Sequence, residues 1–332
     1  MIPVPKSVLG ALARTYGVGA DSLRHYAGGG PEGDGVIYAY PYGEGRRLLK
    51  ILAIPSGGRR RGLLCLDERL RFVRFLGEHG AHIVFPRRSP QGELYETVEA
   101  YDHLWAGYSM DVAPGKGPAQ DLWDEGFFRA WGQTLGQLHR LAQDYPSWRA
   151  SIDPDTGEPF LTWEEEWAGF YEWCQDEEVK AAWVALKAEL DALPVTREAF
   201  GFIHNDPHIW NLCRSGDRIT VLDFDVANHH WFMTDIGIVL QSVLIFHAGG
   251  FHGPVRDRAK LLTFLDCFTE GYARENALPA AWWNRLDLFI AYRRILLFIV
   301  MADWARSQPG LHASWKATIL SAPEVVGNAW RQ

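Results

Sequence analysis

Apolar and polar positions change rhythm part-way along this chain of 332 residues. Leu9, Leu12 and Tyr16 fall at helical spacing and predict a short first helix over Ser7 to Tyr16. The glycine-rich run Gly28-Gly29-Gly30-Pro31-Glu32-Gly33-Asp34-Gly35 then leads into Val36-Ile37-Tyr38-Ala39-Tyr40, a strand by its β-branched and aromatic content. Pro41 to Gly45 turns the chain into a second strand, Leu48 to Ile54, so the loop and these segments read as a hairpin sheet. Leu63, Leu66, Leu70 and Val73 share one face of a helix from Leu63 to Glu78. Arg59-Arg60-Arg61 before it reads as a solvated loop. Two more strands are expected near Glu93–Ala100 and Leu104–Val112, and Ala113-Pro114-Gly115-Lys116-Gly117-Pro118 is a cluster of breakers.

Beyond that cluster helical periodicity dominates. Phe128, Trp131, Leu135 and Leu138 mark one helix, and Trp163–Trp173 and Val179–Leu190 mark two more. Phe200–Ile203 and Ile219–Leu222 are short strands, Thr234 is placed to cap a helix running to Phe246, and Lys260–Trp330 is mostly helical. The pattern predicts an α+β protein of two lobes with a cleft between them: a small N-terminal sheet lobe, residues 1–112, and a larger, mainly helical lobe, residues 113–332.

Composition changes this picture in a few places. The 15 Trp imply large apolar faces between helices. A net charge of −8 with no basic stripe argues against a nucleic-acid partner. The most apolar late stretch, Leu286–Ala302, is broken by Asp287, Arg293 and Arg294, which makes it a core helix and not a membrane span. Cys65, Cys174, Cys213 and Cys267 form no C-x-x-C pair, and Met1–Tyr16 lacks the profile of a secretory leader. The expectation is a cytoplasmic monomer or homodimer without membrane partners.

The chemistry concentrates in His204-Asn205-Asp206-Pro207-His208-Ile209-Trp210-Asn211, followed by Asp223 after the apolar run Ile219–Leu222. The spacing H-x-D-x-x-x-x-N is expected about 0.01 times by chance in a chain of this composition. A carboxylate at an attacking hydroxyl, with a carboxamide and a second carboxylate as oxygen ligands for Mg²⁺, is what phosphoryl transfer to an alcohol requires. Asp206 is therefore the candidate base, and Asn211 and Asp223 are the candidate metal ligands. Asp225 either shares the metal site or caps the next turn. His204 reads as a support of the loop, and His208 as a lining of the acceptor site or a structural residue; both belong to the candidate catalytic set. Asp235, at the start of a helix, is placed to accept hydrogen bonds from the backbone of the loop.

Lys50, between Leu49 and Ile51, projects opposite to its apolar neighbours and either reaches phosphates or snorkels from an edge strand. Glu68 on the following helix is the best-placed carboxylate to position it, with Asp67 and Glu78 as rivals. Gly28, Gly30 and Gly33 match G-x-G-x-x-G but precede a hairpin, so a dinucleotide-binding fold fails its context. Gly30 and Gly33 fit a flexible cover over nucleotide phosphates. The acidic runs Glu164-Glu165-Glu166 and Asp176-Glu177-Glu178 read as solvated helix faces or as an attraction for a cationic acceptor. His229 and His230 lack zinc-ligand spacing with cysteine.

Ile203–Leu212, Val221-Leu222-Asp223-Phe224-Asp225 and Thr234-Asp235-Ile236 together resemble the aminoglycoside phosphotransferase family, kinase-like enzymes that also include choline kinases and homoserine kinases. Leu48-Leu49-Lys50-Ile51, Gly136-Gln137-Leu138-His139 and Gly271-Tyr272 support the resemblance in the same order. It implies a two-lobed protein-kinase-like fold in which Asp206 is the base, Asn211 and Asp223 hold Mg²⁺, and Lys50 contacts the phosphates. It also implies that Met110-Asp111-Val112-Ala113 receives adenine, with Asp111 and Val112 as nucleotide contacts. His208 stands where ordinary protein kinases carry Lys, which favours a small-molecule acceptor. The glycine-loop sequence is not the family's standard one, and Asn205 stands where the family often has Gly. The expected activity is transfer of the γ-phosphoryl group of ATP, with GTP as the alternative donor, to a hydroxyl of an aminoglycoside, amino alcohol or sugar. The alternatives are a protein Ser/Thr kinase of the same fold and a nucleotide-binding pseudokinase, the latter opposed by the intact set Lys50, Asp206, Asn211 and Asp223.

Overall fold

The structure is a computed structural model that describes residues 3–29, 35–119 and 122–327. Its internal contacts divide the chain into two compact units, Met1–Pro114 and Gly115–Gln332.

The first unit begins with helix α1 (Lys6–Thr15) and continues with strands β1 (Arg24–Gly28), β2 (Gly35–Tyr42) and β3 (Gly45–Pro55). Helix α2 (Arg59–Glu78) and strands β4 (Pro86–Arg87), β5 (Glu96–Ala100) and β6 (His103–Met110) complete it. All the strands join one antiparallel sheet in the order β1-β2-β3-β6-β4, with β5 also on β6. Strand alternation gives the sheet two faces. Leu49 and Ile51 of β3 pack with Trp105 of β6 against Val8, Leu12 and Ala13 of α1. Ile54 of β3 and Leu104, Ala106 and Tyr108 of β6 pack with Leu66 and Leu70 of α2 on the other face. Lys50 pairs across the sheet with Tyr108, so it stands on the α2 face.

β1 was not evident in the sequence, because Arg24, His25 and Tyr26 give an edge strand little apolar signal. Arg59-Arg60-Arg61 corrects another expectation. These residues form the first turn of α2, after a short 3-10 turn at Ser56–Gly58. Arginine is a good helix former and tolerates an exposed first turn.

The second unit holds α3 (Glu125–Asp144), β7 (Ser151–Ile152), β8 (Pro159–Phe160), α4 (Trp163–Trp173) and α5 (Glu177–Asp191). It continues with β9 (Phe200–Ile203), β10 (Leu212–Ser215), β11 (Arg218–Val221) and β12 (Asn228–Trp231). The remaining helices are α6 (Phe232–Phe246), α7 (Arg258–Tyr272), α8 (Ala280–Trp283), α9 (Leu286–Val300), α10 (Ala302–Ser307) and α11 (Leu311–Ser321). β9 pairs with β12, β10 with β11 and β7 with β8, each antiparallel. The helices begin with side-chain caps where the sequence supplies them: Asp124 for α3, Asp176 for α5, and for α4 a box in which Thr162 and Glu165 satisfy each other's backbone N–H.

Thr234 does not cap α6. That helix starts at Phe232, and the Thr234 hydroxyl lies 2.6 Å from His230 Nδ1. From Phe232 to Leu244 α6 is buried on every side, as a helix without a polar face must be. α3 and α7 cross at glycines. A Cβ on Gly132 would stand 2.0 Å from the Phe268 carbonyl oxygen, and one on Gly271 would stand 1.9 Å from that of Arg129. Gly136 meets the Tyr272 carbonyl in the same way, at 2.6 Å. No side chain of any kind fits at this crossing. Among the described residues, no helix is long and apolar enough to cross a membrane.

Candidate active site

The loop between β9 and β10 carries the candidate residues His204, Asp206, His208 and Asn211, and buried groups hold its backbone. Asp235, fully buried on α6, accepts the backbone N–H of Asn205 at 2.7 Å and that of His204 at 3.2 Å. Two helical turns later on the same face, the Ser242 hydroxyl accepts the N–H of Ile209 at 3.3 Å. The reading of Asp235 as an acceptor for the loop backbone is thus met by the geometry. His139 of α3 places Nε2 3.2 Å from Asp235 Oδ2, and its Nδ1 accepts from the Tyr272 hydroxyl at 2.8 Å. Tyr272 in turn accepts from Asn276 at 2.9 Å. Burial lowers the pKa of His139, against the pull of Asp235. This chain of donors fits a neutral imidazole that gives its Nε2 proton to the carboxylate.

His204 is engaged at both nitrogens. Nδ1 accepts the N–H of Asp206 at 3.1 Å, and Nε2 donates to the Leu222 carbonyl at 2.7 Å. Leu222 also donates its N–H to the Asn211 carbonyl at 2.9 Å, extending the β10–β11 register of Leu212 with Val221 by one pair. The base of this hairpin therefore ties the His204–Asn211 loop to the segment that delivers Asp223. Asn205 and Asp223 both sit in the left-handed region, at φ 64° and 59°. Asn and Asp are the non-glycine residues that best tolerate it. At position 205 the side chain adds a reason for Asn: its amide donates to Glu166 and, at 3.2 Å, to the Val226 carbonyl.

Asp206 points away from these supports. Its Oδ1 lies 2.6 Å from an Arg293 nitrogen, and its Oδ2 lies 3.2 Å from His208 Nε2 and 3.4 Å from the Asn211 amide. The Asn211 amide also donates to the Asp206 carbonyl at 2.9 Å. Burial alone would raise the Asp206 carboxyl, but the Arg293 guanidinium and the His208 hydrogen bond outweigh it and hold the group down at about 2. His208 Nδ1 is buried without a hydrogen-bond partner among the described residues.

The donor set suits a hard divalent cation. With its amide nitrogen committed to Asp206, Asn211 has its side-chain oxygen turned to the other side, and Asp223 is an exposed carboxylate on an adjoining segment. No group of three or more His, Cys, Asp and Glu is arranged for a metal among the described residues. The protein would thus supply few ligands and leave the others to phosphate oxygens and water, as Mg²⁺ sites of this kind do. Asp225, partly buried, lies in the turn that follows Asp223.

The sequence-derived nucleotide residues fall in the first unit. Lys50 is buried on the α2 face of β3, and Glu68 is half-buried on α2, which packs on that strand. Asp67 is engaged with Arg71, and Glu78 with Arg74. Asp111 donates its backbone N–H to Phe85 at 3.1 Å, and Arg87 clamps its carboxylate at 2.7–3.0 Å; Val112 follows in irregular chain. Gly30 and Gly33 lie outside the described residues.

The profile of the phosphotransferase enzyme family matches residues 51–278. The chain belongs to that family. It is 27% identical over 299 residues to the amicoumacin kinase of Bacillus subtilis (strain 168), an alignment covering 88% of this chain and 83% of that protein. A solved amicoumacin kinase in complex with AMP-PNP, Ca²⁺ and Ami superposes with a TM-score of 0.76 at 23% identity, over 91% of this chain and 88% of that one. A microcompartment-associated aminopropanol kinase superposes with a TM-score of 0.65 at 20% identity, over 94% and 93%. The two-lobed, kinase-like α+β fold expected from the sequence is the one found. This phosphotransferase is an enzyme of the small-molecule kinase kind, and the protein-kinase and pseudokinase alternatives find no support.

Sequence reasoning missed the groups behind the loop of this phosphotransferase. Tyr292 and Arg293, consecutive on α9, reach Glu166 and Asp206 respectively, at 2.7 and 2.6 Å. Glu166 was grouped with a solvated acidic run, yet it accepts from Tyr292, Asn205 and Asn228. Its neighbour Glu165 closes the cap of α4. The available signal was a pair of arginines inside an otherwise apolar helix. A buried cation needs a partner, and that demand marks Arg293.

Proposed function

We propose that this chain moves the γ-phosphoryl group of ATP to a hydroxyl of a small polar molecule that also carries an amine, in an amino alcohol or aminoglycoside-like skeleton. The named relatives supporting that acceptor class are kinases of amicoumacin and of aminopropanol. The observation that carries the reading is the placement of Asp206. Its carboxylate, about a quarter exposed, stands beside Asn211 on a loop whose backbone Asp235 and Ser242 hold.

In this reading Asn211 and Asp223 hold Mg²⁺, with Asp225 assisting, and Lys50, positioned by Glu68, meets the nucleotide phosphates. Gly30, Gly33, Asp111 and Val112 complete the nucleotide contacts. A divalent cation held by Asn211 and Asp223 would offset the charge that develops on the phosphate oxygens. Asp206 accepts the hydrogen bond of the acceptor hydroxyl, fixes its line of approach and takes its proton late in transfer. A carboxylate held at about 2 is a weak base, so orientation is its larger part. His208 places a ring edge beside the same oxygen and lines the acceptor side. His204 keeps the loop closed over Leu222.

The test is ADP release with Mg²⁺ and ATP across a panel of amino alcohols, aminoglycosides and sugars, with GTP as the comparison donor. Amino alcohols or aminoglycosides are expected to give stoichiometric phosphorylated product. Transfer to plain sugars alone would overturn the acceptor class, and nucleotide binding without transfer to any acceptor would overturn the reading of the loop.

A further inference from the structure

Arg293 lies 2.6 Å from the proposed base, closer than either His208 or Asn211. It enters from α9, 87 residues beyond Asp206, with its side chain 9% exposed. Two edges of its guanidinium are in use. Nε donates to Gln241 Oε1 at 2.7 Å, and a terminal nitrogen donates to Asp206 Oδ1 at 2.6 Å. Gln241 is buried on α6, between the residues Asp235 and Ser242 that hold the loop backbone. A guanidinium is planar and rigid, so anchoring one edge on Gln241 fixes where the other edge points. The carboxylate torsion of an aspartate is broad and would otherwise let the group swing.

We propose that Arg293, anchored by Gln241, is a positioning residue that fixes the Asp206 carboxylate in the plane that receives the acceptor hydroxyl. The inference rests on the reading of Asp206 as the base. Each carboxylate oxygen has two lone pairs. Arg293 occupies one on Oδ1, and His208 and Asn211 stand beside Oδ2, so a hydroxyl has a narrow choice of approach. The adjacent residue strengthens the grip. Tyr292 holds Glu166, which accepts from the Asn205 side-chain amide, so consecutive residues of α9 secure the side chain of residue 206 and that of the residue just before it.

Arg293→Ala, Arg293→Lys and Gln241→Leu should be compared with Asp206→Ala in the full chain. The measurements are kcat, KM for the acceptor, nucleotide affinity, melting temperature, and recovery with added guanidinium below its unfolding concentrations. Arg293→Ala is expected to lower kcat roughly 100-fold with nucleotide affinity within about twofold, because small misplacements of a reacting group cost that much. Arg293→Lys keeps the charge but not the fixed plane and should lose about 10-fold. Gln241→Leu removes the anchor alone and should lower kcat severalfold at an unchanged acceptor KM. Guanidinium should restore part of the kcat of Arg293→Ala and none of that of Asp206→Ala. Normal kcat in Arg293→Ala or Arg293→Lys overturns the proposal. So does a loss that guanidinium does not relieve and that follows the melting temperature and nucleotide affinity down. Should Arg293→Ala fail to fold, Arg293→Lys and Gln241→Leu decide by the same kcat criterion. An active Asp206→Ala would instead place the failure in the base assignment.

Discussion

Asp206 and Asp235 are both carboxylates joined to the same loop, and they spend their hydrogen-bonding capacity in opposite ways. Asp235 is fully buried and turned toward backbone N–H groups and His139. Asp206 is about a quarter exposed and turned toward side chains, with Arg293, His208 and Asn211 around it. The first arrangement fixes where the loop lies. The second fixes how one group on it points while leaving lone pairs for an incoming hydroxyl. Position is secured by a dry network and orientation by a half-wet one, so the two should fail differently when broken.

The largest separation is expected for Asp206→Ala. Turnover should fall about 10²–10⁴-fold, the range for loss of a positioned acid–base group, in a chain that still folds and binds nucleotide although Arg293 has lost its carboxylate partner. Near-normal turnover by coupled assay would contradict this. Asp235→Ala should do the reverse. It leaves the N–H groups of His204 and Asn205 and the His139 ring without their acceptor, at a cost of about 3–5 kcal/mol, which lowers the melting temperature by roughly 4–7 °C. Activity should then track the folded fraction. A melting curve that stays in place would show that the network contributes little.

Acid sharpens the same contrast. Burial pushes His229 down to about 4, against a hydrogen bond that the ring gives to the Trp148 backbone, and pushes His230 down to about 3. In the unfolded chain both titrate near about 6.5. Above that pH neither state binds the protons and stability is level. Below it the unfolded chain gains protons that the folded one refuses, so stability falls from about pH 6.5 through about 4 and on to 3. Melting temperatures that remain flat from pH 7 to 5 would contradict the neutral burial of these rings. The smallest effect concerns Asn205. Asn205→Gly keeps the left-handed backbone without strain and gives up the bonds to Glu166 and Val226, an expected loss of about 1 kcal/mol. Asn205→Ala adds the strain and should lose about 1 kcal/mol more, readable as a difference between their denaturation midpoints.

Much of this was legible in the residues themselves. The strand–helix rhythm, the loop with Asp206 and Asn211 and the carboxylate after an apolar run all arise from local spacing, and Asp235 was placed toward the loop backbone by its position at the start of a helix. What was hidden has a common cause. Arg293, Tyr292 and Glu166 act on a loop 39 to 126 positions away in sequence from their partners, and no periodicity encodes such a meeting. Thr234 misled because a helix-start signal was applied inside an apolar stretch that burial had already committed to helix from Phe232. β12 and β10 were missed because paired short strands of mixed polarity, such as Asn228-His229-His230-Trp231, take their register from a partner and not from alternation.

The crossing of α3 and α7 has a bearing beyond packing. His139 and Tyr272, which together set the height of the Asp235 carboxylate, ride on those two helices. The separation of their axes is determined by missing methyl groups at Gly132, Gly136 and Gly271. An alanine at any of them would wedge the axes apart and lengthen the hydrogen-bond relay, so a distant and chemically silent position acts as the gauge against which the phosphoryl-transfer loop is set.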